Sequence, residues 1–147
     1  MPKDAEWLFG VSVLAEIAAH EHDEHRAALI YDVLHPYAPL NAALAAEVWI
    51  GSVARYIGIA ATVAARWCDA ARYFEQGLAL NAKMGAMPSL AHTQHDYARM
   101  LVTRGADGDH LRALQLLEAA VETYRELGMP TYAGLAWGAA TALGHRS

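Results

Sequence analysis

Two groups of histidines are the residues whose types and spacing could most readily support chemistry. In the first group, His20, His22 and His25 alternate with acidic residues. Imidazole and carboxylate groups are common ligands of divalent metals. However, these spacings match no recognised motif, and structural zinc sites usually include sulfur ligands, which this segment lacks. We therefore expect an exposed turn between two helices, with no bound metal or cofactor.

The second group, His92 and His95, is followed closely by Asp96 and Arg99. This spacing places the side chains on one face of a helix, where a histidine could transfer protons. No nucleophile with an orienting base is recognisable beside them. We therefore expect a chain that is not an enzyme. A helical enzyme that uses His92 and His95 stays open as a lesser alternative.

An apolar pattern with a period of 43 residues indicates the helices that must position these side chains. Each unit has a small residue, a large apolar residue four positions later and a further contact residue three positions after that. The residues are Ala27, Tyr31 and Leu34, then Ala70, Phe74 and Gly77, then Ala113, Leu117 and Ala120. Such spacing follows one face of a helix. A fixed period of about 20 to 50 residues is typical of stacked helical units.

Turn-forming residues divide the chain into helical hairpins. Pro36 ends the second helix because proline cannot continue a helix, and Gly85 and Gly128 end two later helices shortly before prolines. The first helix of the middle hairpin is predicted to run unbroken over 44–64. The sequence therefore predicts one all-α domain over 1–147, with hairpins at about 4–34, 44–83 and 89–127 and a capping helix at about 131–143.

Composition and charge exclude several functional classes. The chain has 147 residues and a net charge of −5, and it has no basic stripe that could neutralise a nucleic-acid backbone. The first residues do not form a basic segment followed by an apolar one, which is the order of a secretory signal. The sequence also contains no uncharged apolar stretch of about 20 residues, the length needed to span a bilayer. The single cysteine, Cys68, excludes an internal disulfide. We expect a cytoplasmic protein that binds neither nucleic acid nor a membrane directly.

The middle hairpin resembles the tetratricopeptide repeat. The residues on that motif's characteristic places are Ile57, Gly58, Ala61, Ala70, Phe74 and Gly77. Ala61 departs from the motif because tyrosine is usual there, and the 43-residue period exceeds the usual length of about 34. The resemblance implies an α-α superhelix of about three tetratricopeptide-like helical hairpins plus the C-terminal capping helix.

Longer segments resemble the C-terminal helical-repeat region of large bacterial signalling ATPases. Those proteins join a cyclase or DNA-binding regulatory domain to a nucleotide-binding module. The similar segments begin at Trp7, Gly51 and Ala91, and Glu126-Leu-Gly-Met is a further one. The glycine-rich phosphate-binding loop of such ATPases is absent from this sequence. The resemblance implies a sensing or docking module of a bacterial signalling or transcriptional regulation system.

The first helix of each hairpin is expected to line a concave groove that binds a protein segment. The predicted groove residues are Glu16, Ser52, Arg55, Ile59, His92, His95 and Arg99. Arg55 and Arg99 would supply positive charge, and His95 would supply a titratable donor. Together these three side chains could bind an acidic peptide tail or a small anion.

Several alternatives stay open. The arginines could instead pair with nearby carboxylates, for which Glu16, Glu47 and Asp96 are the candidates. The groove could hold a small-molecule effector rather than a protein segment, because both need only a few polar groups on an apolar wall. If the last helix does not fold back, an exposed apolar patch would favour a homodimer. That patch would consist of Tyr132, Leu135 and Trp137.

Overall fold

Seven α-helices form most of the structure, a computed structural model that describes residues 4–44 and 48–144. The all-α class predicted from the sequence is confirmed. The helices are α1 (Ala5–Glu21), α2 (Glu24–Leu34), α3 (Val53–Val63), α4 (Trp67–Lys83), α5 (Met87–Arg104), α6 (Asp109–Glu126) and α7 (Pro130–Gly144). A 3-10 turn over His35–Tyr37 and two strands, β1 (Asn41–Leu44) and β2 (Val48–Ser52), lie between α2 and α3.

Capping residues fix where several helices begin and end. Asp4 accepts a hydrogen bond from the backbone N–H of Trp7 at 2.9 Å, and Asp23 accepts one from that of Arg26 at 2.9 Å. These N-caps satisfy donors that the first helical turn leaves without a partner. Gly105 ends α5 with a φ of +65°, which glycine adopts without steric cost. Local interactions therefore mark the starts of α1 and α2 and the end of α5.

The segment before α3 differs from the prediction of a helix over 44–64, because Val48–Ser52 is a strand that pairs antiparallel with β1. Gly51 has a φ of +93°, and a Cβ at this position would lie 2.5 Å from Ser89 Oγ. The backbone N–H of Ser52 donates to Asn81 Oδ1, which is buried, at 3.2 Å. Contacts with α4 and α5 thus hold this segment extended. The helix prediction was wrong because a local apolar pattern contains no information about such distant contacts.

The repeated apolar pattern lies in the packed interior. All nine of its residues are buried, and the three alanines Ala27, Ala70 and Ala113 are completely inaccessible to solvent. A Cβ on Gly58 would lie 2.9 Å from the ring of Phe74, so the middle hairpin packs with almost no space between α3 and α4. The 43-residue pattern therefore correctly predicted which helical faces pack together.

The first helices of the hairpins lie side by side. α1 packs against α3 and α3 contacts α5, whereas α2, α4 and α6 each pack against the helices before and after them in the chain. Every residue from Val53 to Ala61 in α3 is buried, so this helix lies at the centre. Buried residues of the seven described helices share one hydrophobic core. In 4–44 and 48–144, no helix is both long and apolar enough to cross a bilayer.

Candidate functional site

Arg55 is a buried charge at the centre of the predicted groove. Its guanidinium donates from Nε to Asp96 Oδ2 at 2.8 Å, from Nη2 to Glu16 Oε1 at 2.9 Å and from Nη1 to Tyr56 Oη at 3.0 Å. These contacts join α1, α3 and α5, and we call the four residues the ion-pair cluster. Arg55 is only 8% exposed. The prediction that it offers a free charge to a ligand is wrong, and the alternative of pairing with carboxylates is confirmed for Glu16 and Asp96; Glu47 lies outside the described residues.

Arg55 stays charged and Tyr56 stays protonated near neutral pH. Burial by itself lowers the pKa of Arg55, but Asp96, Tyr56 and Glu16 together raise that pKa above its ordinary value. The Tyr56 hydroxyl donates to the Ile50 carbonyl at 3.2 Å, and burial raises the pKa of Tyr56 to about 12 although Arg55 opposes the shift. Arg55 therefore bonds to residues of three helices through a guanidinium that keeps its charge.

Ser52 and Ile59 flank Arg55 along the chain and have different environments. Ser52 is completely buried, and its Oγ accepts a hydrogen bond from the backbone N–H of Ala54 at 3.2 Å. The prediction of Ser52 as a groove residue is therefore wrong, because its hydroxyl caps α3. Ile59 lies one helical turn beyond Arg55 and lines two of the cavities described below.

His92 is part of an aromatic contact between α5, α6 and α7. Its Nδ1 and the Tyr124 hydroxyl share a hydrogen bond of 2.7 Å, and the Tyr132 ring meets its ring edge-on at 4.8 Å between centroids. Burial, together with the smaller effect of the positive charge of Arg55, lowers the pKa of His92 to about 4. His92 is therefore neutral at pH 7 and packs against other helices. The prediction that it lies in an open groove is wrong.

His95 is half-buried on the same helix. Burial lowers its pKa from the ordinary value of 6.5, Asp96 opposes this shift, and Arg99 adds to it. The imidazole is therefore largely neutral at pH 7. Of the three side chains expected to attract an anion, only Arg99 keeps an accessible positive charge.

Arg99 lies where three cavities meet. It is exposed and forms no ion pair with any residue of the described ranges. The central cavity, about 360 Å³, lies between the α1–α2 turn, α3, α4 and α5. The N-terminal cavity, about 260 Å³, lies between α1, α3 and α5, and the C-terminal cavity, about 310 Å³, lies between α5, α6 and α7. Arg99 lines all three, and we call them together the trough.

The three cavities of the trough differ in chemistry. The central cavity has a mostly apolar wall, which includes Ile59, Val63, Trp67, Phe74 and Met100. Its polar lining residues are His22, Glu24, Thr62, Asp96, Arg99 and Thr103. The N-terminal cavity is polar, with Glu16, His20, Asp96 and Arg99 beside Ala19 and Ile59. The C-terminal cavity is apolar except for Arg99 and Thr103; its apolar residues are Ala98, Val102, Leu117, Ala139, Ala142 and Leu143. The trough therefore combines two largely apolar spaces with one exposed guanidinium.

The histidine turn at 20–25 has ordinary helix-capping geometry. His22 ends α1 with a φ of 54°, Asp23 caps α2, and Arg26 pairs with Glu21 at 3.1 Å. Within the part of the chain that the structure describes, no three His, Cys, Asp or Glu side chains lie close enough to hold a metal ion. His20, His22 and Glu24 of this turn border the trough.

Sequence reasoning identified part of the trough and missed the rest. Three of the predicted groove residues, Glu16, Ile59 and Arg99, line it. Thr103 was missed although it follows Arg99 by four residues and therefore lies on the same helical face. Trp67 and Phe74 come from α4, the second helix of the middle hairpin, and no local signal distinguishes a core aromatic residue from one that also borders a cavity.

The last helix folds back onto α6 and still exposes apolar side chains. Ala133, Ala136 and Ala140 are buried. The three residues predicted for a self-association patch, Tyr132, Leu135 and Trp137, are each roughly half exposed. The Arg125 guanidinium lies 5.4 Å from the Trp137 ring centroid, a distance at which a cation is attracted by the ring. The patch is therefore present although α7 is packed.

Comparisons with protein-family models, curated proteins and solved structures find no match to this chain. The resemblance to tetratricopeptide-like tails of signalling ATPases therefore stays an interpretation of the sequence. Functional conclusions depend on the geometry of the trough and the ion-pair cluster.

Proposed function

We propose that this chain is a non-catalytic docking module that binds an extended segment of a protein partner in the trough. The observation that carries the proposal is the position of Arg99, which is exposed, borders three cavities and forms no ion pair in the described ranges. A charge that is not paired within the fold is available for a ligand, and guanidinium groups bind carboxylates with two parallel hydrogen bonds.

The arrangement of the cavities favours an extended ligand. The trough begins between α1 and α3, continues beside α5 and ends at α7. A peptide segment can place successive side chains in separate cavities, as extended and helical peptides do in other recognition grooves. A compact molecule in one cavity would leave the other two unfilled.

The electrostatics favour an acidic segment. Glu16 and Asp96 both bond to Arg55, at 2.9 and 2.8 Å, and neither forms an ion pair with Arg99. Arg99 is thus the cation that remains accessible in the trough, within a chain of net charge −5. A partner with carboxylates would therefore be drawn to Arg99 rather than to the surface as a whole.

The resemblance to the repeat region of bacterial signalling ATPases suggests the setting of this docking. In that setting the chain is a tetratricopeptide-like α-α superhelix in a cytoplasmic signalling or transcriptional regulation system. Its partner would be another protein of the same system, recognised through one of its segments.

Affinity capture with matched arginine variants tests the proposal. The wild-type chain, Arg99→Ala and Arg72→Ala are immobilised, and proteins retained from a lysate of the source organism are identified by mass spectrometry. Arg72 is an exposed arginine of α4 that pairs with Asp69 and borders none of the three cavities. We expect a protein that wild type and Arg72→Ala retain and that Arg99→Ala loses. Equal retention by all three chains would contradict docking in the trough.

A small-molecule effector site is the second candidate function. The central cavity, at about 360 Å³, falls within the usual range of about 300 to 1,000 Å³ for small-molecule sites. A metabolite that raises the melting temperature of wild type but not of Arg99→Ala, with no protein captured, would favour this function.

Self-association is the third candidate function. It is supported by the exposure of Tyr132, Leu135 and Trp137 and by the absence of any charged residue in α7. Light scattering over a range of protein concentrations tests it, with Trp137→Ser as the variant. A homodimer that this variant dissociates would support a scaffold role for α7.

A further inference from the structure

We infer that the trough recognises a segment in which an acidic residue stands between two large apolar residues, with one residue separating each apolar residue from the acidic one. This inference rests on the proposed docking function and specifies the ligand of the same site. It follows from two cavities with largely apolar walls that both border Arg99 and from the exposed guanidinium that they share.

The central cavity fits one apolar side chain of the segment. Its wall is formed largely by Ile59, Val63, Trp67, Phe74 and Met100. An apolar side chain that leaves water for this wall gains transfer free energy in proportion to the area buried. A charged side chain would lose its hydration against these apolar side chains. Large aromatic anchors that fill such pockets commonly dominate the affinity of protein interfaces.

The C-terminal cavity fits the second apolar side chain. Four of its eight lining residues, Ala98, Ala139, Ala142 and Thr103, are small, and no carboxylate borders it. Small residues leave the space that a leucine or an aromatic ring could occupy. The cavity is thus matched to an apolar side chain on the other side of Arg99.

The residue between the two anchors is acidic. Two carboxylates, Asp96 and Glu24, also border the central cavity. The Asp96 carboxylate accepts from Arg55 Nε at 2.8 Å, and neither carboxylate forms an ion pair with Arg99. A carboxylate from the segment would therefore meet an uncompensated guanidinium. A lysine at the same place would meet a like charge and be repelled.

The spacing follows from the geometry of an extended chain. Alternate side chains of a strand-like segment point to the same side, and each residue advances the chain by about 3.3 Å. Residues at positions one, three and five of the segment therefore face the trough together. The central cavity, Arg99 and the C-terminal cavity would receive them in that order or in reverse.

Defined peptides test this motif. The probe is the dye-labelled peptide Ser-Trp-Ser-Glu-Ser-Leu-Ser, blocked at both ends so that no terminal carboxylate competes, with binding measured by fluorescence anisotropy. Changing its Trp, its Leu or its Glu to Ser should weaken binding to wild type at least about 10-fold, since one buried apolar side chain or one charge-assisted contact is worth that much. A peptide with Lys in place of Glu should bind the Arg99→Glu variant better than it binds wild type.

Two protein variants assign the anchors to their cavities. Ala142 is exposed and borders the C-terminal cavity, so Ala142→Trp should fill that cavity without disturbing the core. This variant should lose its preference for Leu over Ser at the last anchor and keep its preference for Glu. Arg72→Ala, which lies outside the trough, should discriminate among the peptides as wild type does.

The outcomes separate the motif from the docking function. Equal affinity of wild type for the probe and all its variants, or binding to none of them, overturns the motif. Lysate capture that still depends on Arg99 would then leave the docking function standing without this motif. Lysate capture that is independent of Arg99 would reject docking in the trough, and the motif with it.

Discussion

The ion-pair cluster and the trough lie side by side on α3 and α5, and each is centred on one arginine. Arg55 is 8% exposed and bonds to partners from three helices. Arg99 is exposed and borders three cavities. A Cβ on Gly77 of α4 would lie 3.3 Å from the backbone nitrogen of Arg55, so helices enclose Arg55. An enclosed charge must be paired within the fold, whereas a charge at the edge of a cavity can be paired by a ligand.

Removing the two side chains should separate stability from binding. Arg55→Ala leaves Asp96, whose side chain is 18% exposed, without its main partner, and breaking one side of a buried ion pair costs about 3 kcal/mol. Arg99→Ala should change the free energy of unfolding by less than about 0.5 kcal/mol, as exposed substitutions usually do. Urea denaturation of both variants measures the difference.

The opposite result would break the comparison. If Arg55→Ala unfolds at the same urea concentration as wild type, Arg55 is not an essential tie between α1, α3 and α5. Its charge would then have to be counted with that of Arg99 as available to a ligand.

Substitution of Gly58 should disturb both regions at once. A Cβ at this position would lie 2.9 Å from the Phe74 ring, and Phe74 also borders the central cavity. Gly58→Leu should therefore push α3 away from α4 and cost about 2 kcal/mol by overpacking. Thermal unfolding measures the loss, and the probe peptide measures the effect on the trough.

Gly10 provides a matched control for this substitution. It is an exposed helical glycine with no atom within 4 Å of a Cβ, so Gly10→Leu should leave the melting temperature unchanged or raise it, because leucine favours helix more than glycine does. An unchanged melting temperature for Gly58→Leu would contradict the close packing of α3 on α4.

The helices and their packed faces could be predicted because the signals for both are local. Ala70, Phe74 and Gly77 repeat a spacing that only one helical face can satisfy, and all three are buried. Asp4 and Asp23 cap helices with their own side chains, so the positions of those two helix starts are contained in a few consecutive residues. These parts of the fold need no knowledge of distant contacts.

The strand before α3 and the pairing of Arg55 could not be predicted with the same certainty because both depend on distant partners. The Ser52 backbone bonds to Asn81, and Arg55 bonds to Asp96 on another hairpin. From sequence, Arg55 and Arg99 have the same appearance, a basic residue on the first helix of a hairpin. Only the packing of α4 and α5 around Arg55 makes one of them structural.

Acid should weaken the fold through His92, beside the ion-pair cluster. Burial and the charge of Arg55 lower its pKa to about 4, below the ordinary value of 6.5. Between pH 6.5 and 4 the unfolded chain therefore binds more protons than the folded chain, and the free energy of unfolding decreases as the pH falls. After allowance for partial solvent exposure, we expect a loss of about 1 kcal/mol for His92.

Urea denaturation at pH 7 and pH 4.5 measures this dependence. His92→Gln, which can still form a hydrogen bond with Tyr124, should lose less stability over this interval than wild type. His95 contributes in the same direction because its pKa is also lowered. The Asp109 carboxylate, whose pKa Arg104 lowers from 3.8, loses its contribution only below this interval. An identical pH dependence in wild type and His92→Gln would contradict a neutral, packed His92.

The smallest effect should come from Glu16, which belongs to both regions. It bonds to Arg55 at 2.9 Å, yet its side chain is 47% exposed, compared with 18% for Asp96. Solvent screens an exposed ion pair, so Glu16→Gln should lower the free energy of unfolding by about 0.5 kcal/mol. Asp96→Asn should lower it more, because less water reaches Arg55 on that side to solvate its charge. Urea denaturation of the two variants compares them directly. Equal costs would mean that water reaches Glu16, which faces the N-terminal cavity, no better than it reaches Asp96. The trough would then end at Arg99 rather than at α1.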